Sequence, residues 1–202
     1  MARIEFAAKI LRDLPIGSLL DVGCRDASLA DQLPPNVSYA GADLFPDARG
    51  RVKYVGDITR MEIPERFDAV VALDILEHVE SPSTLFDRLA GLANRYLLVS
   101  FPNCYDLKSR LRFVMGGPLG GKYQFLEQEP VDRHRWLMNR DEAIAFYRAK
   151  QDKLGMPFTM FDMGYGATGR GLTSVLGRGL SRTLPRSLTV ETVCAIFEKK
   201  AA

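Results

Sequence analysis

Followed for polarity alone, the first half of the chain alternates short apolar runs with amphipathic ones. "SLLDVG" (Ser18 to Gly23), "YAGADL" (Tyr39 to Leu44), "VKYVGD" (Val52 to Asp57), "FDAVVALD" (Phe67 to Asp74) and "YLLVSFP" (Tyr96 to Pro102) have the length and composition of strands. Between them, "DASLADQL" has the spacing of a short helix. "SPSTLFDRLAGLA" opens on Ser81 as a cap and Pro82 at the first helical position, with Leu85, Leu89 and Leu92 on one face. Ahead of all these, Ile4, Ala7, Ala8 and Leu11 form a stripe broken by charge, which predicts a surface helix and not the uninterrupted core of a signal peptide. Short apolar strands alternating with helices predict an α/β fold with a parallel sheet covered on both faces, whose ligands bind at the carboxyl ends of the strands. Asp21, Asp43, Asp57 and Asp74 end four of these strands or sit just inside.

The second half is less regular. "NRDEAIAFYRAKQDKLG" predicts a helix capped by Asn139, with Glu142 completing a capping box and Gly155 as its stop. "PFTMFDMGY" and "ETVCAIFEKK" predict strands, the second over Glu191 to Lys200. Between them, at about residues 164–189, lies a basic insertion rich in Gly and Arg and without an acidic residue. Its start, "GYGATG" (Gly164 to Gly169), matches a dinucleotide-loop pattern, but no strand and helix unit follows it, so the match is a decoy.

Composition narrows the class. With 202 residues, 47% hydrophobic and 26% charged, the chain predicts one folded domain over residues 1–202, neither disordered nor membrane-spanning. The greasiest stretch, "FDAVVALDILEHV", is interrupted by Asp74 and Glu77 and falls short of the roughly 20 apolar residues a membrane helix needs. Cys24, Cys104 and Cys194 are odd in number and far apart, which argues against a disulfide framework or a zinc site and for a reducing, cytoplasmic setting. The net charge of +2 is uneven: residues 1–100 sum to −4 and residues 101–202 to +6, which places an anionic partner on the second half.

With "LLDVGCRDASL", "YAGADLFP", "GDI" and "FDAVVALDILEHVESP" in this order and spacing, the sequence resembles the class I S-adenosylmethionine-dependent methyltransferases. The resemblance spans roughly residues 18 to 102. It implies a Rossmann-like fold with a mostly parallel seven-stranded sheet whose last strand is antiparallel. Residues 1–102 would be the half that binds S-adenosylmethionine and residues 103–202 the acceptor side. Gly23 would let the backbone approach the methionine part of the cofactor. Asp43 would accept the ribose hydroxyls, Asp57 and Ile58 would flank the adenine, and Asp21 would orient the turn or the amino-acid end. Cys24, Leu44 and Leu73 complete the implied cofactor-binding set. Arg25 and Ala27 depart from the pattern, standing where the family has its second and third glycines. Each would cost about 1 kcal/mol if its φ must be positive.

The chain has two histidines, the first candidates for the base that a hydroxyl acceptor requires. His78 lies just past the fourth strand, where it either packs the following helix or stands beside the transferred methyl group. Glu77 and His78 also occupy the place where some quinone-pathway relatives bind a divalent metal; two adjacent residues do not specify one, and no metal is expected. His134 sits among Arg133, Arg135 and Trp136, a cluster suited to an anionic or aromatic acceptor, or else a surface loop with Trp136 tucked into the core. "LDILEHV" lacks the N/D-P-P-Y/F signature of exocyclic-amine methyltransferases. Arg170 to Arg186 reads as a solvated loop, a lid over an anionic substrate, or a membrane or nucleic-acid contact, and its lack of interleaved aromatics argues against nucleic acid.

The expected activity is methyl transfer to a small-molecule or lipid-linked acceptor, by preference on oxygen. Two rival readings are a non-catalytic partner or regulatory protein with a degenerate loop, and a membrane-associated enzyme of glycolipid or polysaccharide assembly.

Overall fold

The computed structural model describes residues 2–117, 121–123, 127–128, 130, 132–164 and 183–200. The decoy pattern beyond Gly164 and most of the basic insertion lie outside the described residues.

Seven strands form one sheet: β1 (Ser18–Val22), β2 (Ser38–Asp43), β3 (Val52–Val55), β4 (Phe67–Leu73), β5 (Ala93–Pro102), β6 (Phe158–Gly164) and β7 (Val190–Glu198). Their order across the sheet is β3-β2-β1-β4-β5-β7-β6. The first five run parallel, and β7 pairs antiparallel with both β5 and β6. The strand order reverses between β1 and β2 on one side and β4 on the other, and the carboxyl ends of these strands open into the crevice where such sheets take ligands.

Side-chain alternation divides the core. Leu20 and Val22, Val70 and Ala72, and Leu97, Val99 and Phe101 face a cluster closed by helices α2 (Pro82–Leu92) and α4 (Arg140–Leu154). Leu19, Ala69, Val71 and Leu98 face the opposite side, where α1 (Ala2–Arg12) contributes Ala7, Ala8 and Leu11. α1 is thus half buried and not wholly a surface helix. Ser81 caps α2, with Pro82 as its first residue. Asn139 and Glu142 form the capping box of α4, and Gly155 ends it at φ 65°. The buried Lys150 clamps α4 to α2 by donating to the Ser83 carbonyl and hydroxyl and to Asp87 Oδ1, at 2.6–2.7 Å.

Two elements differ from the sequence reading. "DASLADQL" narrows to a 3-10 turn, Ser28–Gln32. The connection from β2 to β3, whose "FPDARGR" leaves little room in sequence for a full helix, indeed has none. There Asp47 accepts from the backbone N–H groups of Arg49, Arg51 and Val52, so one carboxylate folds the connection as a turn. Helix α3 (Leu107–Val114) is new. Its apolar residues Leu107, Leu111, Phe113 and Val114 are too few to mark it against the Gly-rich sequence that follows, and none of its residues is buried.

Gly41 in β2 holds the edge of the sheet closed. A Cβ there would lie 2.8 Å from Cys24 Sγ and 2.9 Å from the Arg51 carbonyl oxygen, which is backbone and cannot rotate away. Gly41→Ala is expected to cost about 2–3 kcal/mol in urea denaturation, the range for overpacking a closed interior.

Candidate active site

A cleft of about 990 Å³ lies along the carboxyl ends of β1, β2 and β4 and the segment after β3. Its walls include Gly23, Asp43, Leu44, Asp57, Ile58, Leu73 and His78. Seven of the ten residues singled out from the sequence therefore meet in one cavity.

The turn after β1 keeps the conformation its missing glycines would have taken. Gly23 has φ 70°, Arg25 φ 52° and Ala27 φ 53°. The last two are left-handed at residues that ordinarily avoid that region, each a cost of about 1 kcal/mol. Asp43 helps hold the turn, since its Oδ2 accepts from the Arg25 N–H at 2.8 Å while Oδ1 accepts from the Phe45 N–H at 3.2 Å. The carboxylate thus ties the β1 turn to the segment after β2. The Arg25 side chain is exposed on the cleft wall, and the buried Ala27 packs with Cys24 and Val52. Cys24 Sγ is turned toward β2, away from the cavity.

Asp57 caps the turn beyond β3. Its Oδ1 accepts from the N–H and hydroxyl of Thr59 at 2.8 and 2.7 Å, and these bonds hold its carboxyl below the usual range. Arg88 of α2 donates to the Thr59 carbonyl at 3.0 Å and so fixes that turn against the helix.

Asp21 lies beneath the turn and not on the cleft wall. It is buried, and the Tyr39 hydroxyl donates to its Oδ2 at 2.9 Å. Burial pushes its pKa from 3.8 up to about 7, against the lowering effect of that hydrogen bond. An acid whose folded pKa is raised weakens the fold as pH climbs from its unfolded to its folded pKa, and the loss is complete above the latter. Asp21→Asn is therefore expected to raise stability at pH 8, by on the order of 3 kcal/mol relative to its effect at pH 4, in paired urea titrations.

At the other end of the cleft, the segment after β4 brings together groups from distant parts of the chain. Asp74 follows β4 with φ 53°, accepts from the Ser100 hydroxyl and backbone-bonds to the same oxygen, and pairs with Arg3 of α1. Three residues on, the Glu77 carbonyl accepts from the N–H groups of Arg135 and Trp136 at 2.8 and 3.2 Å. That backbone clamp lays residues 132–138 across the β4 end and sets His134 beside His78, ring centroids 4.5 Å apart.

Glu77, His78 and His134 each offer a donor atom within 4.8 Å of the others. His78 Nδ1 donates to the Arg133 carbonyl at 2.9 Å, which leaves Nε2 as the lone-pair nitrogen of the neutral ring. His134 Nδ1 is 2.6 Å from the Tyr123 hydroxyl, itself 2.7 Å from Cys104 Sγ. Both Nε2 atoms stand 3.9 Å from Glu77 Oε1. Neither Glu77 oxygen, nor His134 Nε2, has a hydrogen-bond partner among the described residues, although all three atoms are buried. Burial pushes the Glu77 carboxyl up to about 7 and pulls His134 down to about 4. His78 is also lowered, mainly by burial.

His78 lines the cleft and His134 stands behind it. Trp136 is 47% exposed, which corrects the alternative that tucked it into the core; its indole N–H donates to the Val79 carbonyl. Arg135 and Asp132 reach the cleft wall beside His78. Sequence reasoning missed Arg3, whose pairing with Asp74 leaves no local pattern, and it weighed Glu77 only beside its neighbour.

The fold has counterparts among known proteins. Residues 2–151 match the model of a family described as a methyltransferase domain. An uncharacterized methyltransferase of Mycobacterium bovis is 33% identical over 105 residues, covering 45% of this chain and 53% of that protein. A mitochondrial ubiquinone biosynthesis O-methyltransferase of Schizosaccharomyces pombe is 27% identical over 99 residues, covering 40% of this chain and 36% of that protein. The chain thus spans about half the length, or less, of these curated relatives. Among solved structures, the methyltransferase domain of a bacterial Hen1 superposes with TM-score 0.63 at 17% identity, covering 98% of this chain and 97% of that one. Magnesium protoporphyrin IX methyltransferase from Synechocystis, with bound S-adenosylhomocysteine (SAH), superposes with TM-score 0.58 at 18% identity, covering 98% and 83%. A family match over most of the chain, joined to this strand order, decides its membership: the chain belongs to the methyltransferase domain family.

Proposed function

We propose that this protein transfers the methyl group of S-adenosylmethionine to an oxygen of a small or lipid-linked, anionic acceptor. One observation carries the reading: a single cleft has the glycine turn, Asp43 and Asp57 at one end and His78, backed by Glu77 and His134, at the other. In this reading Gly23 lies under the methionine portion, Asp43 takes the ribose hydroxyls, and Asp57 and Ile58 border the adenine. Leu44 and Leu73 supply apolar wall, while Asp21 and Cys24 support the turn from behind.

Methyl transfer from a sulfonium is an in-line displacement whose donor is already activated, so the protein's work is alignment and exclusion of water. A hydroxyl acceptor must also lose its proton. His78 Nε2 is the group on the cleft wall able to take it, with His134 behind as the positioning ring; the oxygen–carbon bond forms as the carbon–sulfur bond breaks, and the sulfur leaves as neutral thioether. Arg135, on the same wall, suits an anionic acceptor.

A second reading is favoured by the unpartnered oxygens of Glu77. A buried carboxylate and two imidazoles, each with Nδ1 tied to an outer partner and Nε2 3.9 Å from that carboxylate, fit a divalent cation, and Asp132 Oδ1 stands 3.4 Å from the His78 Nε2. Glu77, His78 and His134 would hold it, and it would supply Lewis acidity toward the acceptor oxygen.

Calorimetry with SAH, followed by methyl transfer to phenolic, anionic, lipid-linked and RNA acceptors with and without a chelator, tests both readings. Micromolar binding with transfer to an oxygen of one of the first three supports the proposal, and loss of transfer with chelator selects the second reading. Absence of SAH binding overturns both in favour of a non-catalytic protein, and RNA as the sole acceptor overturns the acceptor class.

A further inference from the structure

The exposed apolar side chains are not scattered. Of ten large hydrophobic residues exposed among those described, seven fall between residues 105 and 137: Tyr105, Leu111, Phe113, Val114, Met115, Trp136 and Leu137. This is the connection from β5 to α4, which also supplies His134. Its helix α3 packs none of its residues into the core, and Leu111, Val114 and Met115 are 52%, 81% and 79% exposed.

Spacing turns these residues into a face. Leu107, Leu111 and Val114 recur at i, i+4 and i+7 and so share one side of α3, with Met115 at its margin, while Phe113 falls on the other side. Lys108 and Arg110 flank that side, Arg112 lies beyond Lys108, and the helix has no acidic residue. Lys108 is held by Glu191 at 3.0 Å, while Arg110 reaches back to the Tyr105 carbonyl at 2.7 Å. An apolar stripe between basic side chains, on a helix left outside the core, has the form of a helix lying in a membrane interface.

We infer that α3 is a docking face for the surface of an anionic lipid bilayer. Charge complementarity selects that occupant: Arg110 and Arg112 bracket the stripe with the sign that anionic headgroups attract. Size argues against a second copy of the chain, because one side of an eight-residue helix falls well short of the roughly 800 Å² per partner of a stable protein interface. The contact is superficial, since no helix among the described residues is long and apolar enough to cross a membrane. Position gives it a use. α3 starts three residues after Cys104, which the Tyr123 hydroxyl links to His134, and the exposed Trp136 and Leu137 follow His134 on the other side. The segment that carries this face is thereby joined to the histidine end of the cleft through Cys104 and Tyr123, and the inferred bilayer is set on that side. That last step rests on the reading of the cleft given above and narrows it to acceptors held in the membrane.

Co-sedimentation of the full chain with phosphatidylcholine vesicles, and with vesicles carrying about 30% phosphatidylglycerol, at low and high salt, tests the docking face. Binding is expected to the anionic vesicles only, and to weaken with salt. Leu111→Glu with Val114→Glu should reduce partitioning at least about tenfold, and Arg110→Glu with Arg112→Glu by a similar factor at low salt. SAH affinity and circular dichroism, measured on the same samples, should not change. They report on the cleft and the fold separately, so failure of the docking face and failure of the methyl-transfer reading give different results. The two pairs of substitutions act through different forces, so one remains informative if the other disturbs folding. Absence of binding by the native chain, or native-like binding by both variants, overturns the inference. So does a concentration-dependent dimer in sedimentation velocity that the same substitutions dissociate.

Discussion

Replacing Asp43 by alanine is expected to lower affinity for SAH at least about 100-fold in calorimetry, with the fold intact by circular dichroism. The size follows from two tasks held by one carboxylate. It accepts the Arg25 N–H at 2.8 Å and the Phe45 N–H at 3.2 Å, so its loss unpins the turn after β1 as well as the segment after β2. In the proposed complex its remaining lone pairs take the ribose hydroxyls. Hydrogen bonds to a charged group contribute about 1.5–3 kcal/mol each, and losing two of them reaches the stated factor. Asp43→Asn keeps the shape and one acceptor but not the charge, and should fall between, at roughly tenfold. Unchanged affinity in a folded Asp43→Ala protein would refute the ribose assignment.

Glu77→Gln should separate activity from stability. We expect turnover to drop by at least about 100-fold, SAH affinity to stay within about twofold, and the melting temperature to hold or rise. A side chain kept for structure would behave in the opposite way. Glu77 is fully buried and neither of its oxygens has a hydrogen-bond partner among the described residues, so the carboxylate makes no bond that would stabilise the fold. Such groups persist where a ligand or reaction uses them. Under the cation reading, the same substitution weakens divalent-metal affinity by about 10- to 100-fold, which equilibrium dialysis measures without any acceptor. A melting temperature that falls sharply while turnover survives would make Glu77 structural.

What the sequence disclosed was whatever depends on neighbours in the chain. Strands buried on both faces announce themselves as continuous apolar runs, and Asn139, Glu142 and Gly155 mark the ends of α4 by chemistry internal to that helix. The acids at strand ends were legible for the same reason, because a parallel sheet gathers those ends on one edge. The cluster around His78 was not, since its geometry depends on the Arg135 and Trp136 amides reaching the Glu77 carbonyl across more than fifty residues. Arg3 finds Asp74 over a longer span still, with nothing local to signal it. The strain expected at Arg25 and Ala27 was readable as a cost, but only the backbone shows that both residues accept it and keep the turn.

The place of β7 has a consequence for how the chain assembles. Among the described residues β6 is hydrogen-bonded only to β7, and β7 lies between β6 and β5 although it follows both in sequence. Strands β1 to β5 can pair as they emerge during synthesis, but β6 must wait as an unpaired ribbon until residues 190–198 exist. The ordering of β6 and β7 is thereby deferred until residues 190–198 have been made. A ribosome stalled before β7 would hold a chain with β5 as an open edge, the state in which this protein is most exposed to aggregation.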